Sequence, residues 1–209
     1  METQFLSLRD PKALASAIDI LTAGGLVAFP TDTVYGLGAL AFDEQAVGQL
    51  YEVKERGMEK AIPVLIGDLS QLGLVAAGPN QMSQKLARHF WPGPLTLVVP
   101  RHPSIPEAVT PLATVGVRIP KFAATEQLLR LTGPLAVTSA NISGQSSPST
   151  AAGVKAQLDG RIALILDGGV TPGGMPSSVV DCSGEEPVIL REGPISLADI
   201  LEALATPDK

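Results

Sequence analysis

Four short segments carry side chains able to bind or polarise a ligand. In FPTDTVYGLGALA, Thr31 and Thr33 offer hydroxyls, Asp32 a carboxylate, and Gly36 and Gly38 backbone that a ligand can approach closely. An ordinary Asx or Thr turn would use the same residue types. VKERGMEK places Lys54, Arg56 and Lys60 within seven residues. The planar fork of arginine beside the point charge of lysine suits a phosphate clamp. Glu52, Glu55 and Glu59 are interleaved with them, so a solvated helix end laced with weak ion pairs fits the spacing too. Arg118 in VGVRIP and Arg191 in VILRE stand in apolar, strand-like runs, where a charge is costly unless paired. Each calls for a carboxylate or phosphate, from a ligand or from one of the 21 acidic residues of the chain.

Other chemistries are poorly served. GLGALA satisfies a loose G-x-G-x-x-A pattern, but it lies beyond Pro30 rather than in a tight strand-to-helix turn, and no acidic residue is clearly placed at a later strand end. No G-x-x-x-x-G-K-[ST] loop is present. TSANISG lacks the G-x-S-x-G elbow, and His89 and His102 lie in helix-end and proline-rich contexts, which leaves no hydrolase triad. Cys182 has no neighbouring histidine and reads as a small core residue. One cysteine and two histidines are too few for a dedicated Cys/His zinc site, and the sequence assigns no metal ligands.

The elements that must hold these residues follow from periodicity. The chain has 209 residues, 45% hydrophobic and 17% charged, with a net charge of −6 and 4% aromatics. That is material for one aliphatic-cored globule. It offers neither a broad basic surface for nucleic acid or anionic membrane nor an aromatic platform for single strands. No basic leader precedes a long apolar run, and no run is long enough to span a membrane, so the chain reads as cytoplasmic. Leu14, Ala17, Ile18 and Leu21 predict a helix ending at Gly24-Gly25, and LVAFP (26–30) a buried strand followed directly by a loop over TDTVYGLGALA. Residues 43–54 predict a helix capped by Asp43 that delivers Lys54 at its end. AIPVLIGD, LTLVVP, TVGVRIP, PLAVTSAN and IALILDGG read as strands. SQLGLVAAG, GPNQMSQKLARHF, TEQLLRLTG and 151–159 read as helices. SVVDCS and PVILRE pair before a closing helix over ISLADILEALA, while GQSSPST is a mobile-loop candidate. The alternation predicts a single α/β domain with a mixed open sheet.

With these residues in order, the chain resembles the YrdC-type threonylcarbamoyl-AMP synthase family over about residues 10–200, leaving 1–9 and 201–209 as terminal extensions. The carriers are FPTDTVYGLGALA, the K-x-R of VKERG, WPGPLTLVV, VGVRIP, the S-x-N of VTSANISG, DGGVTPGGMPSSVVD and VILREGPIS. The resemblance implies a twisted, mixed α/β sheet with flanking helices around a concave, positively charged cavity. There L-threonine, bicarbonate and ATP become L-threonylcarbamoyl-adenylate and pyrophosphate, an early step of threonylcarbamoyladenosine formation in tRNA. It assigns Lys54 and Arg56, as the catalytic pair, together with Lys60, Thr114, Ser139, Asn141, Ser147 and Arg191, to ATP. Thr33, Arg118 and Ser177 fall to threonine. It further implies magnesium, downstream tRNA-modifying transferases and a possible tRNA or double-stranded RNA contact, and no membrane partner.

Three departures stand out. Gly57 follows the K-x-R where proline is usual, and Ala61-Ile62 replaces a usual Pro-Leu. Leu65 occupies a strand position where some members place a threonine-contacting histidine. The chain reads as a short form without the C-terminal domain and lid linker of longer relatives, with GQSSPST and TPGGMPSS as its lid candidates. A nucleotide or double-stranded RNA binding module and a YciO-like paralogue are the competing readings, and retention of Lys54, Arg56, Ser139 and Asn141 together favours the synthase.

Overall fold

Short apolar runs bounded by glycine and proline settle as strands. In the computed structural model, which describes residues 2–206, these are Gln4–Ser7 (β1), Val27–Phe29 (β2), Gly36–Leu40 (β3), Val64–Leu65 (β4), Leu95–Pro100 (β5), Thr114–Arg118 (β6), Leu135–Ser139 (β7), Leu164–Asp167 (β8), Ser178–Asp181 (β9) and Val188–Arg191 (β10). They form one sheet in the order β1-β8-β2-β3-β7-β4-β6-β5-β9-β10. The pairs β1–β8, β8–β2, β4–β6 and β5–β9 are parallel and the others antiparallel, the mixed sheet expected. The helices are Ala13–Thr22 (α1), Glu44–Lys54 (α2), Leu72–Val75 (α3), Gln81–Phe90 (α4), Ala123–Thr132 (α5), Ala151–Leu158 (α6) and Leu197–Ala205 (α7).

Strand alternation divides the core in two. Ala28, Ala136, Ile165, Val115, Val117, Leu97 and Val180 point to one face, where residues of α2, α4, α6 and α7 join them. Val27, Phe29, Leu135, Val137, Leu164 and Leu166 point to the other, under Ala13, Ala17 and Leu21 of α1 and Leu128 and Leu129 of α5. α1 and α5 cover only the β8-β2-β3-β7 side of that second face. Among the described residues no helix joins that face over β6, β5 and β9, and there the cavity lies.

The structure departs from the sequence reading in four places. β1, within the segment read as a terminal extension, pairs in parallel with β8 at the sheet edge. Its mostly exposed QFLS carries no apolar pattern. The stretch read as a loop after β2 is a six-residue turn and then β3, antiparallel to β2. Its glycines serve packing: a Cβ at Gly38 would stand 2.9 Å from Phe29 Cε1, and one at Gly36 2.8 Å from Val137 Cγ1. AIPVLIGD yields only the two-residue β4, and SQLGLVAAG a 3₁₀ turn followed by the single-turn α3.

Because the Phe29 ring is fully buried, it cannot yield to an added methyl. Gly38→Ala is expected to cost about 1–3 kcal/mol in urea unfolding. An unchanged midpoint would remove this contact as the reason for the glycine.

Candidate functional site

On the uncovered half-face every second strand residue is relieved of core packing. Thr114, Gly116 and Arg118 of β6, Thr96 and Val98 of β5, and Val179 and Asp181 of β9, with Ser177 just before it, wall a cavity of about 490 Å³. Leu65, Val137 and Ser139 close one flank, Leu112, Leu190 and Arg191 the other, and residues of the turn before β3, Asp32 excepted, contribute with Arg56, Ser147 and Pro176. Three arginines and one carboxylate, Asp181, line the wall, so cations outnumber anions there although the chain as a whole is acidic, even with Asp32 counted against Arg118.

Arg118 anchors one end. Its Nε donates to the Gly93 carbonyl (2.9 Å) and one terminal nitrogen to Thr33 Oγ1 (3.1 Å), while the other pairs with the Asp32 carboxylate. Thr33 and Thr31 share a 3.0 Å hydroxyl contact, and Thr31 donates to the Val34 carbonyl, which shapes the turn. Asp32 also accepts the Lys121 amide. Burial pushes the Arg118 pKa down and Asp32 opposes that shift. The internal ion pair read as one alternative for this arginine is present, and its three bonds use three of the five N–H donors of a guanidinium. Arg191 lies close enough to depress Arg118 electrostatically; it grips the Ser177 carbonyl with two nitrogens and donates to Ser177 Oγ at 3.1 Å, which in turn meets Thr96 Oγ1 at 2.9 Å.

The K-x-R pair divides at the end of α2. Asp43 caps the helix start, accepting from the Ala46 amide, and Glu55 ends it in the left-handed conformation, φ 53°, with the Arg56 amide returning to the Tyr51 carbonyl. That turn leaves Lys54 inward, 1% exposed, with its ammonium on the carbonyls of Ser139 and Asn141. Arg56 instead reaches the cavity, with one terminal nitrogen near the Lys60 and Ala61 carbonyls and a buried Nε that has no partner.

Of the residues that the resemblance assigned to ATP, the cavity wall thus holds Arg56, Thr114, Ser139, Ser147 and Arg191, and of those assigned to threonine all of Thr33, Arg118 and Ser177. Lys54, Asn141 and Lys60 are not on it: Lys54, at the end of α2, and Asn141, in the loop after β7, are buried, and Lys60 is exposed. Thr31, singled out in the sequence beside Thr33, is on the wall as well; Tyr35, Thr96 and Asp181 escaped the sequence reading, although polar residues alternating with apolar ones in T-x-V and S-x-V-x-D were a usable signal. Tyr35 Oη donates to the Gly169 carbonyl and accepts the Gly168 amide, tying the turn to the glycine-rich segment. Cys182 is buried, with its thiol pushed up to about 12 by desolvation, the inert core residue expected. Among the described residues no three acidic, histidine or cysteine side chains cluster as metal ligands.

A cavity lined with hydroxyls and arginines on one face of a mixed sheet marks an α/β domain with a candidate small-molecule site. Residues 19–193 match the model of the Sua5/YciO/YrdC family, described as telomere recombination, and the chain belongs to that family. It is 42% identical over 208 residues to the threonylcarbamoyl-AMP synthase of Bacillus subtilis, covering 98% of this chain and 60% of that protein. Pyrococcus abyssi Sua5 complexed with L-threonine superposes with a TM-score of 0.93 at 38% identity, over 98% of this chain and 61% of that one. Escherichia coli YciO gives 0.84 at 25% identity, over 92% and 96%. The chain therefore spans about 60% of the length of the first two.

Two outcomes follow from the buried charges. With side chains 7% and 10% exposed, Arg118 and Asp32 lose their balance when either is neutralised. Asp32→Asn should destabilise by about 3 kcal/mol, and adding Arg118→Met should recover part of that loss, read as a double-mutant cycle in urea. Burial, with the Arg56 charge adding to it, holds the Lys54 pKa at about 8 against an ordinary 10.5. Between those values the unfolded chain binds more protons, so the stability linked to Lys54 rises with pH and is lost as pH falls through 8. From pH 8 to 10 the unfolding free energy of the wild type should climb more steeply than that of Lys54→Met, by up to about 1.4 kcal/mol per pH unit.

Proposed function

We propose that this chain is an L-threonylcarbamoyl-adenylate synthase, with L-threonine, bicarbonate and ATP as substrates. The observation that carries the reading is the pairing of Arg118 and Arg191 around the hydroxyls of Thr33, Thr96 and Ser177 on an otherwise uncovered sheet face. The synthase name of the Bacillus relative and the threonine bound to the Pyrococcus structure support it.

In this reading the two free N–H groups of Arg118 take the threonine carboxylate, a bidentate match. The Thr33 and Ser177 hydroxyls lie next to it, placed to bond the substrate hydroxyl and amine. Arg56, whose Nε is without a partner, and Arg191 neutralise phosphate oxygens, while Thr114, Ser139 and Ser147 supply hydroxyls to the nucleotide. The threonine nitrogen attacks the bicarbonate carbon and water leaves, giving a carbamate. A carbamate oxygen then attacks the α-phosphorus in line with departing pyrophosphate. Positioning and charge neutralisation suffice for both steps, which accords with a wall built of arginines and hydroxyls. A single wall carboxylate, Asp181, fits a magnesium ion that arrives on the nucleotide and takes most of its ligands from phosphate and water. The ion would supply further neutralisation of the triphosphate, with Asp181 as its protein ligand. The product is a reactive mixed anhydride, so transferase proteins that pass the group to tRNA are the partners this reading requires. It also sets the chain in the cytoplasm; among the described residues no helix is long and apolar enough to cross a membrane.

Pyrophosphate release from ATP by the purified protein tests this directly, with mass detection of the adenylate. Release should require both bicarbonate and L-threonine and fall at least ~100-fold with L-valine, which leaves the hydroxyl partners unpaired. Arg56→Ala should abolish release with the fold retained. ATP or RNA binding without release under any condition would favour the binding-module reading instead.

A further inference from the structure

We infer that Lys54 and Asn141 touch no substrate and act as positioning residues, locking the 139–147 loop so that Ser139 and Ser147 face the cavity. This deepens the proposed function and rests on its reading of the cavity as a nucleotide site.

Three bonds join Lys54 to one short stretch. Its ammonium holds the carbonyls of Ser139 and Asn141, and its own carbonyl accepts the Ser143 amide at 2.8 Å. A buried ammonium is costly, and here main-chain oxygens with no carboxylate offset it. Asn141, 5% exposed, is equally committed. Its Nδ2 donates to the carbonyls of Ile142 (2.8 Å) and Gln145 (2.9 Å), and its Oδ1 accepts from Ser147 Oγ at 3.4 Å. Both amide N–H groups are therefore spent inside the loop, and the oxygen holds a serine that lines the cavity.

Gln157 of α6 braces the same loop from the far side. Its Oε1 accepts the Ile142 amide at 3.1 Å and its Nε2 donates to the Ser146 carbonyl at 3.2 Å. Between these anchors residues 144–146 are exposed and small or polar, with little packing of their own. The K-x-R and S-x-N pairs consequently interlock. Arg56 and Ser139 reach the cavity, while Lys54 and Asn141 turn inward and fix the frame that carries them.

The test compares Lys54→Met and Gln157→Ala with the wild type by amide hydrogen exchange without nucleotide, by ATP titration and by pyrophosphate release. In both variants the amides of 142–147 should exchange at least tenfold faster. In Gln157→Ala, at a residue that does not line the cavity, the KM for ATP should rise several-fold while the urea midpoint stays unchanged, a split that a merely structural role would not produce. Unchanged exchange in Lys54→Met with ATP binding lost, beside normal ATP binding in Gln157→Ala, would overturn the inference and make Lys54 a direct phosphate contact. If Lys54→Met fails to fold, Gln157→Ala carries the comparison: unchanged exchange and an unchanged KM there would equally overturn it. A wild type that binds ATP without forming adenylate would defeat the synthase reading alone, since exchange and titration still decide the role of Lys54.

Discussion

A guanidinium in the middle of a sheet has to be balanced where it stands, and the balance of Arg118 organises its surroundings. Asp32 and Thr33 come from the turn between β2 and β3, and Gly93 from the segment that leads into β5. One side chain on β6 thereby joins three parts of the chain that are far apart in sequence. The same links shape the cavity wall, because Thr33 accepts from the arginine and shares a hydroxyl contact with Thr31. Each partner leaves Arg118 charged, and together they leave some of its donors free. In the proposed function, structural pairing and ligand capture are two uses of this one group.

Much of the fold was legible because its signals are local. Asp43 before an apolar-periodic run marks a helix start whatever lies elsewhere, and α2 begins and ends where that pattern says, with Lys54 at its last turn. SVVDCS and PVILRE pair as read because both carry strand residues across a polar turn. β1 and β3 were not legible, for opposite reasons. β1 is an edge strand held by backbone pairing to β8, with no apolar alternation to announce it. β3 carries glycines that read as loop signals, and their purpose appears only when the ring of Phe29 lies against them.

The site shows the same division. Arg118 and Arg191 were conspicuous as cations in apolar runs, and both are found on the cavity. Lys54 looked like a partner of Arg56 because the two stand one residue apart; the left-handed Glu55 between them sends one inward and the other out. Residue type gives the charge of a lysine but not the side of the backbone on which it lies. Thr96 and Asp181 were missed because an alternating polar position means solvent in most sheets. It means a ligand wall only once the helical layer over that half-face is known to be missing.

That half-face has an evolutionary consequence. Val115, Val117, Leu97 and Val180 hold the sheet to its helices from the opposite side, whereas their alternating neighbours Thr96, Val98, Thr114, Val179 and Asp181 carry none of that load. Mutations at the second set can retune which molecules the cavity accepts while the scaffold stays in place. The domain thus behaves as a fixed frame with an interchangeable lining, a division of labour through which one architecture can acquire new ligands by single substitutions.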